Sequence, residues 1–344
     1  MARKKSRPRD KRASKQELPL RIEDIGDRII PFPSTPPQLD PVPPKKSDTP
    51  PSRFVAEQVL RELHEALEDE EFSSKEELEA FMAAFNRRSM KPSTKGKPSR
   101  NRKQEAQDLA YRAMDTANPN RSAELCQKAI KLDPHCVDAL MHLTRLACED
   151  GDEMIEHMQM VVDIGERDLG GADYFEENAG YFWGLLETRP YMRARAYLAQ
   201  LLAEAGNNDE AIRHYEEMLR LNPNDNQGLR YPLVGCYLLA ENLEGARRLL
   251  KQFEDEGGAV LAWSLVLERY LSGDEDGATE ALKEARRINK HAEKYLTGRK
   301  DMPKELPPYY GFGDENEALV CADAIGAAWK RQPKAVAWLK QAKR

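Results

Sequence analysis

The sequence predicts an all-α protein, a helical-repeat solenoid of stacked helix pairs behind an irregular N-terminal tail. Three observations carry that expectation. Two amphipathic stretches close on the same punctuation, Ala-Ile-Lys-Leu-Asp-Pro at 129–134 and Met-Leu-Arg-Leu-Asn-Pro at 218–223. The small residues Ala211, Ala246 and Ala278 recur at spacings of 35 and 32, close to the period of about 34 residues that one helical hairpin occupies. Leu, Ala, Glu, Lys and Arg dominate while aromatic residues make up 7%, a composition that favours helix over strand.

Residues 1–52 read as a disordered, basic, Pro-rich tail. Prolines at 31, 33, 36, 37, 41, 43, 44, 50 and 51 remove backbone donors and block regular structure. An apolar island, Ile22, Ile25, Ile29, Ile30 and Phe32, interrupts it and is either a docking motif or incidental. Residues 53–88 form a small helical hairpin. Val55, Val59, Leu63 and Leu67 mark one apolar face, and Ser74 with Glu77 makes a capping box. Leu78, Phe81, Met82 and Phe85 mark the face of the second helix. So short a unit buries little by itself, so it is expected to pack on the body or on another chain. Residues 89–103 read as a basic linker, and the helical body runs from about Gln104 to 342.

Within the body, 105–137 places Leu109, Ser122, Cys126, Ala129 and Pro134 at packing positions, and 138–167 reads as a second pair. The best-formed repeat is 191–224, with Leu198, Ala199, Leu202, Gly206, Ala211, Tyr215 and Pro223. Residues 226–257 and 259–290 keep that spacing. Small residues admit close helix approach, Leu and Tyr fill the groove, and Gly or Pro stops each helix. Between 168 and 190 the period breaks in an aromatic insertion containing Tyr174, Phe175, Tyr181, Phe182 and Trp183, either a wedge between repeats or a ligand wall. Pro232 falls inside an expected helix at 226–240, where it would cost about 3 kcal/mol and kink the chain. A second aromatic loop, Pro307 to Phe312, precedes two closing helices expected to cap the last repeat.

This punctuation resembles tetratricopeptide-type repeats. The block Glu187-Thr-Arg-Pro-Tyr-Met-Arg-Ala-Arg195, with Leu219 to Gly228 behind it, resembles bacterial tetratricopeptide-repeat proteins related to the suppressor of tumorigenicity 7 family. The resemblance spans residues 104–340 and implies a helical-repeat body, no assigned catalysis and protein interaction. The membrane association of eukaryotic members is not carried over, because no apolar run approaches the roughly 20 residues that cross a bilayer.

Charge divides the chain. Residues 1–103 carry a net +6 and the remainder −12. The N-terminus lacks the apolar core of a secretory signal, so a cytoplasmic location is expected. Cysteines 126, 136, 148, 236 and 321 form no Cys-x-x-Cys pair and read mainly as small buried hydrophobes. The six histidines form no His-x-x-x-His pair, and phosphate-loop, dinucleotide and nucleophile-elbow motifs are missing. No enzyme, metal or cofactor is expected.

The candidate ligand-groove residues are Tyr111, Arg189, Arg193, Gln200, Arg230, Tyr231, Trp263 and Tyr270, with Gln107 beside them. Arg189, Arg193 and Arg195 lie near Asn222, Asn224, Asp225, Asn226, Gln227 and Arg230 in the chain's pattern. One reading is structural: Asn224 with Gln227 caps the next helix, and Arg189 or Arg193 pairs with Glu187 or Asp225. The other places Arg193, Gln200 and Arg230 on the concave side, clamping a carboxylate of a bound peptide. The expected function is a non-enzymatic adaptor holding an unidentified protein or peptide segment. The alternative is a nucleic-acid-associated protein whose tail, with eight Lys/Arg and one Asp in residues 1–16, supplies affinity through charge.

Overall fold

The computed structural model describes residues 53–67, 70, 72–89 and 101–342; the expectations for the tail at 1–52, its apolar island, and 90–100 of the linker lie outside them. Every regular element among the described residues is helical, with no strand. The chain divides into two compact units, 1–157 and 158–344.

In the first unit, α1 (Arg53–Leu67), α2 (Lys75–Ser89), α3 (Arg102–Met114), α4 (Pro119–Leu132) and α5 (Val137–Ala147) are followed by the start of α6 (Gly151–Asp168). Helix α2 starts at the predicted cap. Ser74 Oγ accepts the Glu77 N–H at 3.2 Å, and the Glu77 carboxylate accepts the N–H of Ser73 at 2.8 Å, one residue before the usual partner. Helix α3 begins two residues earlier than expected because Asn101 and Gln104 cap it reciprocally, at 2.9 and 3.0 Å. Helix α1 packs on α3: Phe54 stacks on Tyr111 with centroids 4.8 Å apart, and Arg61 pairs with Asp108 at 2.5 Å. The first half of the predicted hairpin therefore finds its apolar partner in this chain.

The second unit continues with α7 (Gly171–Glu177), two single 3-10 turns at 182–184 and 186–188, α8 (Arg189–Glu204) and α9 (Asn208–Leu221). Then come α10 (Arg230–Leu239), α11 (Leu243–Gln252), α12 (Ala259–Leu271), α13 (Glu275–Ile288), α14 (Ala292–Leu296), α15 (Glu315–Arg331) and α16 (Pro333–Gln341). The pairs α8–α9, α10–α11 and α12–α13 share one turn. Gly206, Glu241 and Gly273 each take a left-handed φ of 85, 57 and 78°. The next residue in each case, Asn207, Asn242 or Asp274, donates its N–H to the carbonyl five residues back, at 2.8, 2.8 and 3.0 Å. Five residues after the left-handed position come Ala211, Ala246 and Ala278, all wholly buried where the two helices of a pair meet. The repeat in the sequence is thus a repeat of one turn and one close contact.

Two expectations need correction. Helix α10 starts at Arg230, so Pro232 sits in its first turn, where a backbone N–H has no intrahelical partner to lose; the predicted kink has no cause. The closing helix α15 does not cap the last pair alone. It packs on both α10 and α12, the first helices of the last two pairs. Gly235 makes this possible, since a Cβ there would lie 2.1 Å from the Ala324 carbonyl oxygen. Two aromatics of the insertion, Phe175 and Phe182, join the core beside Tyr191 of α8, with centroids 4.8 and 5.0 Å apart along the chain of contacts, while Tyr181 is 75% exposed. The Gly180 N–H donates to Leu221 O at 3.0 Å, tying the insertion to the end of α9.

Candidate binding surface

The turn 222–229 builds the most elaborate polar cluster. Asp225 adopts φ 46°, a conformation that short polar side chains tolerate best. Its carboxylate is buried and accepts the N–H groups of Leu229 and Arg230 at 2.6 and 3.0 Å, so it, and not Asn224, caps α10. Arg230 then donates Nη1 to Asp225 Oδ2 at 2.6 Å and Nε to the Glu256 carboxylate. Its guanidinium lies over the rings of Tyr231 and Phe253, at 4.5 and 5.4 Å. Tyr231 donates its hydroxyl to the other Glu256 oxygen. Burial works against the Arg230 charge, but the bonds to Glu256 and Asp225 carry its pKa above the ordinary value. Burial, then the Glu256 carboxylate, raises that of Tyr231.

The other candidates have separate partners or surroundings. Tyr111 is buried under α1, donating its hydroxyl to Glu57 at 2.7 Å. Trp263 is 0% exposed, its ring 6.5 Å from that of Trp329 and its Nε1 donating to Asn289 O at 3.3 Å. Neither offers a surface to a ligand, because α1 and α15 cover the faces they point from. Tyr270 is half-buried against Trp338, with centroids 5.1 Å apart. Arg189 donates to Trp183 O at 3.0 Å and lies over that ring at 5.0 Å. Arg193 is half-buried on α8, and Gln200 is exposed, donating to Glu204 at 2.8 Å. Arg230 and Tyr231 therefore come together, whereas Tyr111 and Trp263 are buried. Asp225 pairs with Arg230, and Glu187 accepts the Tyr174 hydroxyl at 3.4 Å. Gln107 donates to Asp138 at 2.5 Å.

Sequence reasoning missed the loop between α14 and α15 as a site. Met302, Leu306, Tyr309, Tyr310 and Phe312 are 40, 42, 76, 43 and 79% exposed, a concentration of outward apolar surface found nowhere else among the described residues. Its aromatic run was visible, but its exposure was not. The end of this loop is held by the buried Glu317. That carboxylate accepts the Ala259 N–H at 2.9 Å, Asn289 Nδ2 at 2.9 Å and the Gly313 N–H at 2.7 Å. Asp314 accepts the N–H groups of Gly311 and Glu317 at 2.7 and 2.8 Å. The backbone at the end of this loop is thus anchored at Gly311 and Gly313, with the Tyr309 carbonyl accepting from Asn316 Nδ2 at 3.1 Å.

All five cysteines are buried; burial raises the thiol pKa of Cys126 to about 12 and that of Cys236 to about 11. One group with metal-ligating side chains comes together among the described residues: Cys148, Glu153 and His157.

A family model described as tetratricopeptide repeat matches residues 202–265, from the end of α8 through α9, α10 and α11 into α12. This stretch contains two of the three shared turns and both intervening contacts at Ala211 and Ala246. Over residues 202–265 the chain is similar to tetratricopeptide repeats. No curated protein matches the chain. Trp329 and Ala324 of α15 pack against α12 and α10, the first helices of the last two pairs. None of the described helices is long and apolar enough to cross a membrane.

Proposed function

We propose that the protein is a non-enzymatic adaptor whose tetratricopeptide body holds a segment of another protein. The observation that carries this is the exposed apolar loop at 302–312, anchored at Gly311 and Gly313, on a body whose helix pairs are of a kind suited to protein interaction. Aromatic side chains beside an anchored stretch of backbone gain contact area at reduced ordering cost. In this reading Tyr309, Tyr310 and Phe312 are the apolar anchors. The half-buried Arg230 and Tyr231, with Arg193 and Gln200 on α8, supply polar contacts along the partner segment. Arg189, Trp263 and Tyr270 support those surfaces through packing, while Tyr111 serves the packing of α1 on α3. The likeness to the suppressor of tumorigenicity 7 family, a bacterial origin and a cytoplasmic location belong to the same reading.

The test is affinity retention by the full chain from lysate of its own cells, compared with Tyr309→Ser/Phe312→Ser and with Arg193→Ala/Gln200→Ala. Specific retention lost in the first pair supports the loop, and loss in the second supports the α8 face. Retention unchanged in both, but stripped by salt and absent after removal of residues 1–52, would replace the adaptor with the tail-driven nucleic-acid reading.

A further inference from the structure

Cys148 ends α5, and Glu153 and His157 occupy the first two turns of α6, so one short turn delivers a thiol, a carboxylate and an imidazole to one spot. Their ligand atoms lie within 4.8 Å of one another. Cys148 Sγ is 3.5 Å from His157 Nδ1. Zinc bonds of about 2.3 Å to sulfur and about 2.0 Å to nitrogen, at a tetrahedral angle, put those two atoms about 3.5 Å apart. Glu153 Oε1 is 4.0 Å from the same nitrogen, so a small swing of its outward-facing side chain completes a third ligand position. Cys148 and His157 are buried while Glu153 reaches solvent, which gives an ion an entry path and leaves a fourth position for water.

We propose that Cys148, Glu153 and His157 form a binding site for a divalent, borderline-soft cation of the zinc class, clipping the α5–α6 turn. A thiolate and a carboxylate balance the two positive charges, and the neutral imidazole adds a ligand without adding charge. His157 Nδ1 also lies 2.9 Å from the Glu153 carbonyl oxygen and donates its proton there in the ion-free protein. On binding, that proton moves to Nε2, Nδ1 turns its lone pair to the metal, and the Cys148 thiol proton passes to solvent. One proton leaves the protein per ion bound. The sequence hid this site because the spacing Cys-x4-Glu-x3-His matches none of the paired Cys or His patterns. Only the reversal of the chain at 148–151 brings the thiol onto the first turns of α6.

The test uses the full chain, treated with chelator and titrated with Co2+, which reports thiolate ligation by a charge-transfer band and tetrahedral geometry by intense visible bands. The expected result is one equivalent bound, displaced by Zn2+, with the charge-transfer band gone in Cys148→Ser. Because Glu153 is largely exposed, Glu153→Gln keeps the fold and should bind about tenfold or more weakly. Zn2+ should also raise the thermal midpoint of the native protein and leave that of Cys148→Ser unmoved. No thiolate band in the native protein, or a band that survives in Cys148→Ser, overturns the proposal.

Discussion

Glu317 is buried, and its carboxylate holds three separate pieces of the second unit together: the N-terminus of α12 through Ala259, the end of α13 through Asn289, and the 302–313 loop through Gly313. Replacing it with Ala leaves two backbone N–H groups and one amide without an acceptor. Each unsatisfied buried donor costs about 1–3 kcal/mol. Water entering the vacated volume recovers part of that, so the expected loss is about 3–5 kcal/mol. Glu317→Gln keeps the volume but turns one acceptor into a donor facing an N–H, and should cost about 2 kcal/mol. Urea unfolding followed by tryptophan fluorescence reads this directly, since Trp263 and Trp329 pack together in the same unit. The order native, Gln, Ala in midpoint is the prediction. An Ala variant within 1 kcal/mol of native stability, judged against the same about 3–5 kcal/mol scale, would show that the carboxylate is not the tie described.

Other perturbations probe separate links. Glu241 holds the left-handed position that is Gly in the two sister turns, so Glu241→Gly should stabilise by about 1 kcal/mol, less the loss of its exposed bond from Gln332 at 2.9 Å. That corresponds to a rise in Tm of about 2–4 °C by calorimetry. Gly235→Ala drives a methyl into the Ala324 carbonyl and should lower Tm by prising α15 from α10, with faster hydrogen exchange confined to those helices and their neighbours. His214 on α9 has its pKa lowered to about 4 by burial and then by Arg195 and Arg213. Below about pH 6.5, the ordinary value, the unfolded chain takes up a proton that the folded ring refuses. Stability should therefore fall between pH 6.5 and about 4. The difference in urea midpoint between native protein and His214→Gln should shrink across that window and level off below it.

The helix pairs were legible because their signal is local. Ala211, Ala246 and Ala278 mark a contact between helices adjacent in the chain, and the turn five residues earlier repeats with them. The placement of α15 was not legible, because it depends on Gly235 meeting Ala324 across about 90 intervening residues, and neither residue type names its partner. Tyr111 and Trp263 failed as groove residues for the same reason: repeat position puts them on an inner face, and only the fold shows that α1 and α15 cover it. Asn224 was read as a cap because Asn suits that role. The αL backbone at Asp225 passed the role to the next residue. Pro232 was read as a helix breaker when its position in the first turn makes it harmless.

The binding account rests on the loop at 302–312 meeting a protein partner. A photoreactive amino acid placed at Phe312 in the full chain, in its own cells, tests this most directly, with the same group at the exposed Glu280 on α13 as control. The account predicts a discrete cross-linked polypeptide from position 312 and none from position 280. Equal, diffuse labelling from both positions, or none from 312, would contradict it.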